Sequence, residues 1–163
     1  MTGTPLVPVA DRRTPLLLAV YGTLRRGCRN AHVLAGCAHV GDALVAGRLH
    51  EATAPREELG YGYPLLVLDE TPAPTGPGSP TGRVRVEVYR VDDLTTLLAL
   101  DALEDYDPDA PEGSEYVRVR VPLLEPWPGA PEQVQVYVHA GAVERRGQVL
   151  EGGDWYLHAG ERA

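Results

Sequence analysis

The sequence contains no phenylalanine, no isoleucine and no lysine, a single asparagine (Asn30), one methionine and two cysteines. Each shortage excludes something. Without lysine, a Gly-x-x-x-x-Gly-Lys phosphate loop is impossible. Cys28 and Cys37 form no Cys-x-x-Cys pair and stand in no His-rich cluster, so zinc-binding spacing is lacking and two buried or half-buried thiols are expected. No stretch approaches the ~20 apolar residues of a membrane span. The apolar run after Arg12-Arg13 extends only about six residues, too short for a signal-peptide core, and a cytoplasmic location is the expectation. The missing residues share AT-rich codons, so a GC-rich genome accounts for the bias, which carries no chemical message.

What remains is an ordinary globular composition. A chain of 163 residues with 44% hydrophobic and 23% charged residues is long enough for one domain with a sizeable core. Its net charge of −8 argues against nucleic acid or an anionic membrane as partner. The pairs Arg12-Arg13, Arg25-Arg26 and Arg145-Arg146 are scattered and read as solvated faces.

Residues 1–14 carry Pro5, Pro8 and a polar stretch, and are expected to form a mobile leader. A single domain spans 15–157, followed by a tail at 158–163. Leu16 to Val20 has the length of a buried strand and breaks into Tyr21-Gly22-Thr23-Leu24-Arg25-Arg26-Gly27. Asn30 is placed to cap a short helix through about Leu34. Val40–Ala46 and Arg48–Glu51 read as strand, with Gly41 and Gly47 as bulges or close backbone approaches. Tyr61 to Pro64 feeds another short strand, and Thr71–Thr81 is too rich in Pro and Gly for a regular element. Val84, Val86 and Val88 alternate with charged residues as in a half-buried strand. Asp92 or Asp93 caps a helix with Leu94, Leu97, Leu98 and Leu100 on an apolar face, running to about Leu103. Tyr116–Val121 and Val134–His139 alternate again. The late strands have too few helices between them for a doubly wound sheet, which predicts an α+β fold: a mixed, mainly antiparallel sheet curled into a small β-barrel with flanking helices.

Two places carry candidate chemistry. The strand-to-loop break at Tyr21-Gly22-Thr23-Leu24 can present successive backbone N–H groups to a carboxylate or oxyanion; it can equally be a plain turn with Tyr21 as a core aromatic. At the end of the later helix, Asp101 and Glu104 are three apart and share a face beside inward leucines. Partial desolvation there suits a carboxylate to acid/base work, the alternative being a solvated acidic helix end. The five histidines show no metal spacing and no Gly-x-Ser-x-Gly elbow occurs, so an enzyme reading leaves a reaction free of metal and cofactor.

Tyr21-Gly22-Thr23-Leu24-Arg25-Arg26-Gly27, Asn30, Tyr63-Pro64-x-Leu66-Val67, Gly82-x-Val84 with Glu87-Val88-Tyr89, Leu100-Asp101-x-x-Glu104-x-Tyr106, Tyr116-x-Arg118 and Gly153-Asp154-Trp155 occur in one order. In this order they resemble the γ-glutamylcyclotransferase-like family, in its small bacterial and γ-glutamylamine branch, over roughly residues 16–155. The resemblance implies cleavage of a γ-glutamyl amide by attack of the glutamyl α-amine on its own γ-carbonyl, releasing 5-oxoproline and an amine or amino acid. It implies substrate binding by Tyr21, Gly22, Thr23 and Leu24, and Glu104 as the catalytic acid/base. Tyr137 is either a pocket residue or a packed aromatic, and Arg118 either meets a carboxylate at the site or makes a structural ion pair. The partner implied is a small γ-glutamyl substrate, with oligomeric state left open.

Two departures stand out. Ala31 intervenes between Asn30 and His32, where many members have His directly after Asn, and Asp105 replaces the usual Gly after the catalytic Glu. The charge of Asp105 is expected to favour protonation of Glu104. The main alternative to an enzyme is a non-catalytic module that holds a small carboxylate on the same fold; a role for the Pro72–Pro80 segment in recruiting partners is a weaker one.

Overall fold

The structure, a computed structural model, describes residues 7–52, 64–68, 82–140, 146–150 and 152–155. The expected loop at Thr71–Thr81 and the tail at 158–163 lie outside the described residues, as do residues 1–6 of the leader.

The strands are β1 (Leu16–Val20), β2 (Ala38–Ala46), β3 (Arg48–Ala52), β4 (Pro64–Val67), β5 (Arg83–Val91), β6 (Tyr116–Pro122), β7 (Gln133–His139) and β8 (Arg146–Val149). Among the described residues an α-helix, α1 (Leu94–Leu103), joins β5 to β6, and 3₁₀ turns cover Ala31–Leu34 and Pro111–Gly113. The α+β class and the mixed sheet are as the sequence predicts. Five strands pair in the order β2-β5-β1-β7-β6, and three more in the order β4-β3-β8. Among the described residues every pairing is antiparallel except β1 with β7, where Leu18 stands opposite Gln135.

The expected barrel is not closed. Among the described residues, the edges of the five-stranded sheet meet at one isolated bridge, where Leu44 and Leu124 exchange backbone hydrogen bonds of 3.1 and 2.7 Å. Three features stop a ladder from growing there. Pro122, at the end of β6, has no N–H to donate. Trp127 packs over Gly41 of β2, at a place where a side chain would collide with the indole. At Gly47, with φ +150°, the chain leaves the first sheet for the second, and a Cβ there would meet Val67 O. The β2–β3 run therefore turns a corner between sheets instead of completing a cylinder.

Asp93 is the N-cap of α1, its carboxylate accepting from Thr96 N at 2.7 Å. The apolar face differs from expectation. Leu97 and Leu100 are fully buried, whereas Leu94 and Leu98 are 48% and 43% exposed. Adjacent helical residues point about 100° apart, and the buried stripe continues instead through Asp101, 1% exposed.

The segment expected as a leader lies along the domain from Val9 onward. Val9 is buried, its N–H donates to Arg118 O (2.6 Å), and its carbonyl accepts from Tyr106 Oη (2.7 Å). This segment runs beside β6 on the side away from β7.

Candidate active site

The loop after β1 is built from tight turns. Arg25 N–H donates to Gly22 O (3.0 Å), Cys28 N–H to Arg25 O (2.9 Å) and Asn30 N–H to Thr23 O (2.9 Å). Asn30 does not cap the 3₁₀ turn that follows it; its amide donates to Thr23 Oγ1 at 2.9 Å and so fastens the far end of the loop to its start. Among the described residues, the N–H groups of Gly22, Thr23 and Leu24 meet no protein acceptor. Three donors in succession form a concavity suited to an oxyanion or a carboxylate. Gly22 is fixed by space: a Cβ there would lie 2.6 Å from Pro64 Cγ. The Tyr21 side chain turns inward, donating to Tyr137 O at 2.7 Å.

A buried charge cluster holds this loop from behind. Arg25, read from sequence as a solvated arginine, is only 4% exposed. Its Nε donates to Glu87 Oε2 (3.0 Å) and its Nη1 to Asp154 Oδ1 (2.6 Å). Glu87 Oε1 accepts the backbone N–H of Arg26 (3.0 Å) and the hydroxyl of Tyr89 (2.9 Å). One β5 carboxylate thus grips the loop by side chain and by main chain, and such charge-assisted bonds are about twice as strong as neutral ones. Asp154 follows Gly153, where φ is +64° and a Cβ would strike the Arg83 carbonyl. That glycine lets the C-terminal turn lie against β5, with Arg85 N–H donating to Gly153 O at 2.8 Å.

Glu104 comes from the end of α1. It is the C-cap of α1, and the turn beyond it is a Schellman motif: Asp105 N–H donates to Ala102 O (3.2 Å) and Tyr106 N–H to Asp101 O (2.8 Å). Asp105 occupies the left-handed position of that motif at φ +54°, a conformation glycine adopts most freely. The glycine that the resemblance leads one to expect here is thus explained by backbone geometry. Glu104 is half-buried. Burial first, then the charge of Glu104, pushes the Tyr21 phenol well above its ordinary range, so the carboxylate lies within electrostatic reach of the start of the loop.

Arg118 and Tyr137 are engaged with Asp101. The Tyr137 hydroxyl donates to Asp101 Oδ1 at 2.6 Å. Arg118, fully buried, gives Nε and Nη2 to the same carboxylate (3.3 Å each), Nη1 to Gln135 Oε1 (2.6 Å), and Nη2 also to Asp11 O. Arg12 Nε reaches Asp101 Oδ2 at 3.2 Å. Burial, and then the charge of Asp101, raises the Tyr137 phenol well above its usual range. Arg118 thus pairs with a carboxylate, Asp101, as both readings of it from the sequence have it.

The thiols are free: Cys28 is buried and Cys37 half-buried, as expected from the cysteine pattern. Desolvation lifts Cys28 to about 11, which makes a poor nucleophile.

Glu87, Asp154 and Arg25 were not singled out from the sequence as site residues. The available signal was the position of Glu87 within Glu87-Val88-Tyr89 and of Asp154 within Gly153-Asp154-Trp155, motifs that carry the resemblance. Alternation alone assigns Glu87 to solvent.

No curated protein matches the chain closely. Among solved structures, an uncharacterised protein from Pyrococcus horikoshii superposes with a TM-score of 0.59 at 22% identity, covering 88% of this chain and 92% of that one. A protein described as specific to uropathogenic E. coli gives 0.56 at 18% identity, covering 91% and 98%. An AIG2-like protein from Mus musculus gives 0.53 at 27% identity, covering 82% of this chain and 83% of its own. A family model described as "Gamma-glutamyl cyclotransferase, AIG2-like" matches residues 18–157. That span takes in the N–H loop, the buried charge cluster and Glu104, and the chain belongs to this family.

Proposed function

We propose that this chain is a γ-glutamyl cyclotransferase that forms 5-oxoproline, with Glu104 as its acid/base and the Gly22–Leu24 N–H groups as its substrate cradle. The observation that supports the reading is the run of three backbone N–H groups, Gly22 to Leu24, without a protein acceptor among the described residues; Glu104 is half-buried at the end of α1. Membership of the family supports the reaction class.

The α-nitrogen of a γ-glutamyl amide is an ammonium at neutral pH and cannot attack until it loses a proton. Glu104 takes that proton. The freed amine attacks the γ-carbonyl carbon, forming the ring C–N bond, and negative charge builds on the carbonyl oxygen, where preorganised N–H groups stabilise it most. Collapse breaks the original amide bond and Glu104 returns the proton to the departing nitrogen; Glu104 then takes the second proton still carried by the ring nitrogen and passes it to the amine, which leaves as an ammonium beside a neutral lactam. The attack is intramolecular, so holding the glutamyl chain folded supplies much of the acceleration. The buried cluster around Glu87 keeps the N–H groups aimed, and the Schellman turn keeps Glu104 at the helix end.

The test is incubation with a panel of γ-glutamyl-amino acids and γ-glutamylamines, following 5-oxoproline. Glu104→Gln is expected to lower kcat by about 10²–10⁴-fold, the usual contribution of general acid–base catalysis, with the melting temperature essentially kept. Ligand-dependent stabilisation without product across the panel would instead identify a carboxylate-binding module. Normal turnover in the variant would remove Glu104 from the role.

A further inference from the structure

The end of β1 opposite the N–H loop carries a second feature that the cyclotransferase reading does not use. A groove of about 640 Å³ opens beside Leu16 and Leu17, lined by Arg13, Arg90, Arg120, Gln133 and Gln135, with Asp11 as the one carboxylate in its lining. The volume falls within the range of about 300–1,000 Å³ usual for small-molecule sites. Neither Glu104 nor the Tyr21–Leu24 loop contributes to it.

In a chain of net charge −8, three guanidinium groups around one hollow are out of keeping with the whole. Arg90 is paired, its Nε donating to Asp92 Oδ1 at 2.7 Å. The guanidinium groups of Arg13 and Arg120 meet no hydrogen-bond or ion-pair partner among the described residues. Asp11 makes no ion pair with them: its Oδ1 accepts the backbone N–H of Arg13 (3.1 Å), so its one charge offsets part of theirs. The ladders bring these residues to one end of the sheet: Arg120 of β6 stands opposite Gln135 of β7 on the face of Leu18, while Arg90 of β5 stands opposite Leu17, one residue along β1 and on the other face. The Gln135 amide is oriented too. Its oxygen is taken by Arg118 (2.6 Å), which leaves the NH₂ as the donor end. Pro15, Leu16, Leu17 and Val134 make up the apolar part of the lining.

We infer that this groove is a binding site for a small oxyanion, a carboxylate or a phosphate ester with a short hydrocarbon body, separate from the proposed active site. Guanidinium forks match both anions in a bidentate geometry, the glutamine amides add neutral donors, and the apolar part of the lining meets the hydrocarbon. Converging cationic groups raise the local concentration of anions even on an acidic protein.

The test is calorimetric titration of the full chain with succinate and with inorganic phosphate, at ionic strength held constant with sodium chloride. Saturable binding below about 10 mM is expected for at least one of them, and which one saturates identifies the anion class. Arg13→Ala combined with Arg120→Ala is expected to weaken it by about tenfold or more, while Glu104→Gln leaves it unchanged. In the parent chain, the side-chain NH₂ signals of Gln133 and Gln135 should shift along the same titration, a readout independent of how the double variant folds. No saturation with either anion, unchanged binding in the folded double variant, or shifts confined to Gly22–Leu24 would overturn the inference.

Discussion

Arg25 and Arg118 are both buried and both pair with carboxylates, yet one serves a loop and the other a helix. Arg25 draws on two carboxylates from distant parts of the chain, Glu87 on β5 and Asp154 on the C-terminal turn. Arg118 depends on one, Asp101, which it shares with Tyr137 and Arg12. A charge removed from the first cluster leaves its arginine a second partner. In the second cluster, loss of Asp101 leaves a fully buried guanidinium without a carboxylate. The loop support is redundant, and the helix support hangs on a single node.

That contrast orders the expected effects. Asp101→Ala should be the most damaging change, costing ~3–5 kcal/mol because it strands a buried charge; denaturant unfolding measures it, and a loss below about 1 kcal/mol would end the comparison. Glu87→Gln should cost less, ~1.5–3 kcal/mol for a buried bond to a charged group. It should lower kcat/KM for 5-oxoproline formation by loosening the loop, whereas a purely structural glutamate would leave the rate of the folded fraction intact.

A smaller effect is expected from pH, through Cys28 at the back of the loop. Its folded pKa, about 11, lies above the ordinary 9.0. The folded state therefore holds its proton where the unfolded state has released it. Stability is unaffected below about pH 9 and falls as pH rises from there towards 11. Cys28→Ala should flatten that part of a melting-temperature profile; an identical alkaline slope in the variant would show that Cys28 does not contribute. The smallest change should come from Arg12→Ala, whose side chain is 34% exposed. Exposed pairs contribute about 0.2–1 kcal/mol, and a larger loss would mean that the N-terminal segment is integral to the helix node.

Much of this was legible beforehand. β1, the Asp93 cap and the three alternating strands follow from local patterns, and the family follows from the order of motifs. What escaped was the identity of the burying partner. Alternation puts Glu87 on the face away from Val86 and Val88, but the fold covers that face with the Arg25–Arg26 loop, some sixty positions earlier in the chain. For the same reason Arg25 reads as solvated. Leucine spacing did not distinguish the Leu97–Leu100–Asp101 face from the Leu94–Leu98 face, because the buried stripe includes an aspartate whose partners lie on β6 and β7. Barrel closure was lost to single residues, Pro122 and Gly47, whose effect depends on which edge they meet.

The parallel pairing of β1 and β7 has a further consequence, for the birth of the chain. β1 lies at the centre of its sheet, yet its neighbours are distant in sequence: Leu18 is matched with Tyr89 on one side and Gln135 on the other. During synthesis, the first strand to emerge waits for nearly the last before both its edges are covered. Such non-local pairing folds slowly, and an uncovered central edge invites pairing with another chain. A nascent chain stalled before Gln133 should therefore need a chaperone's shelter, while one that has released His139 should not.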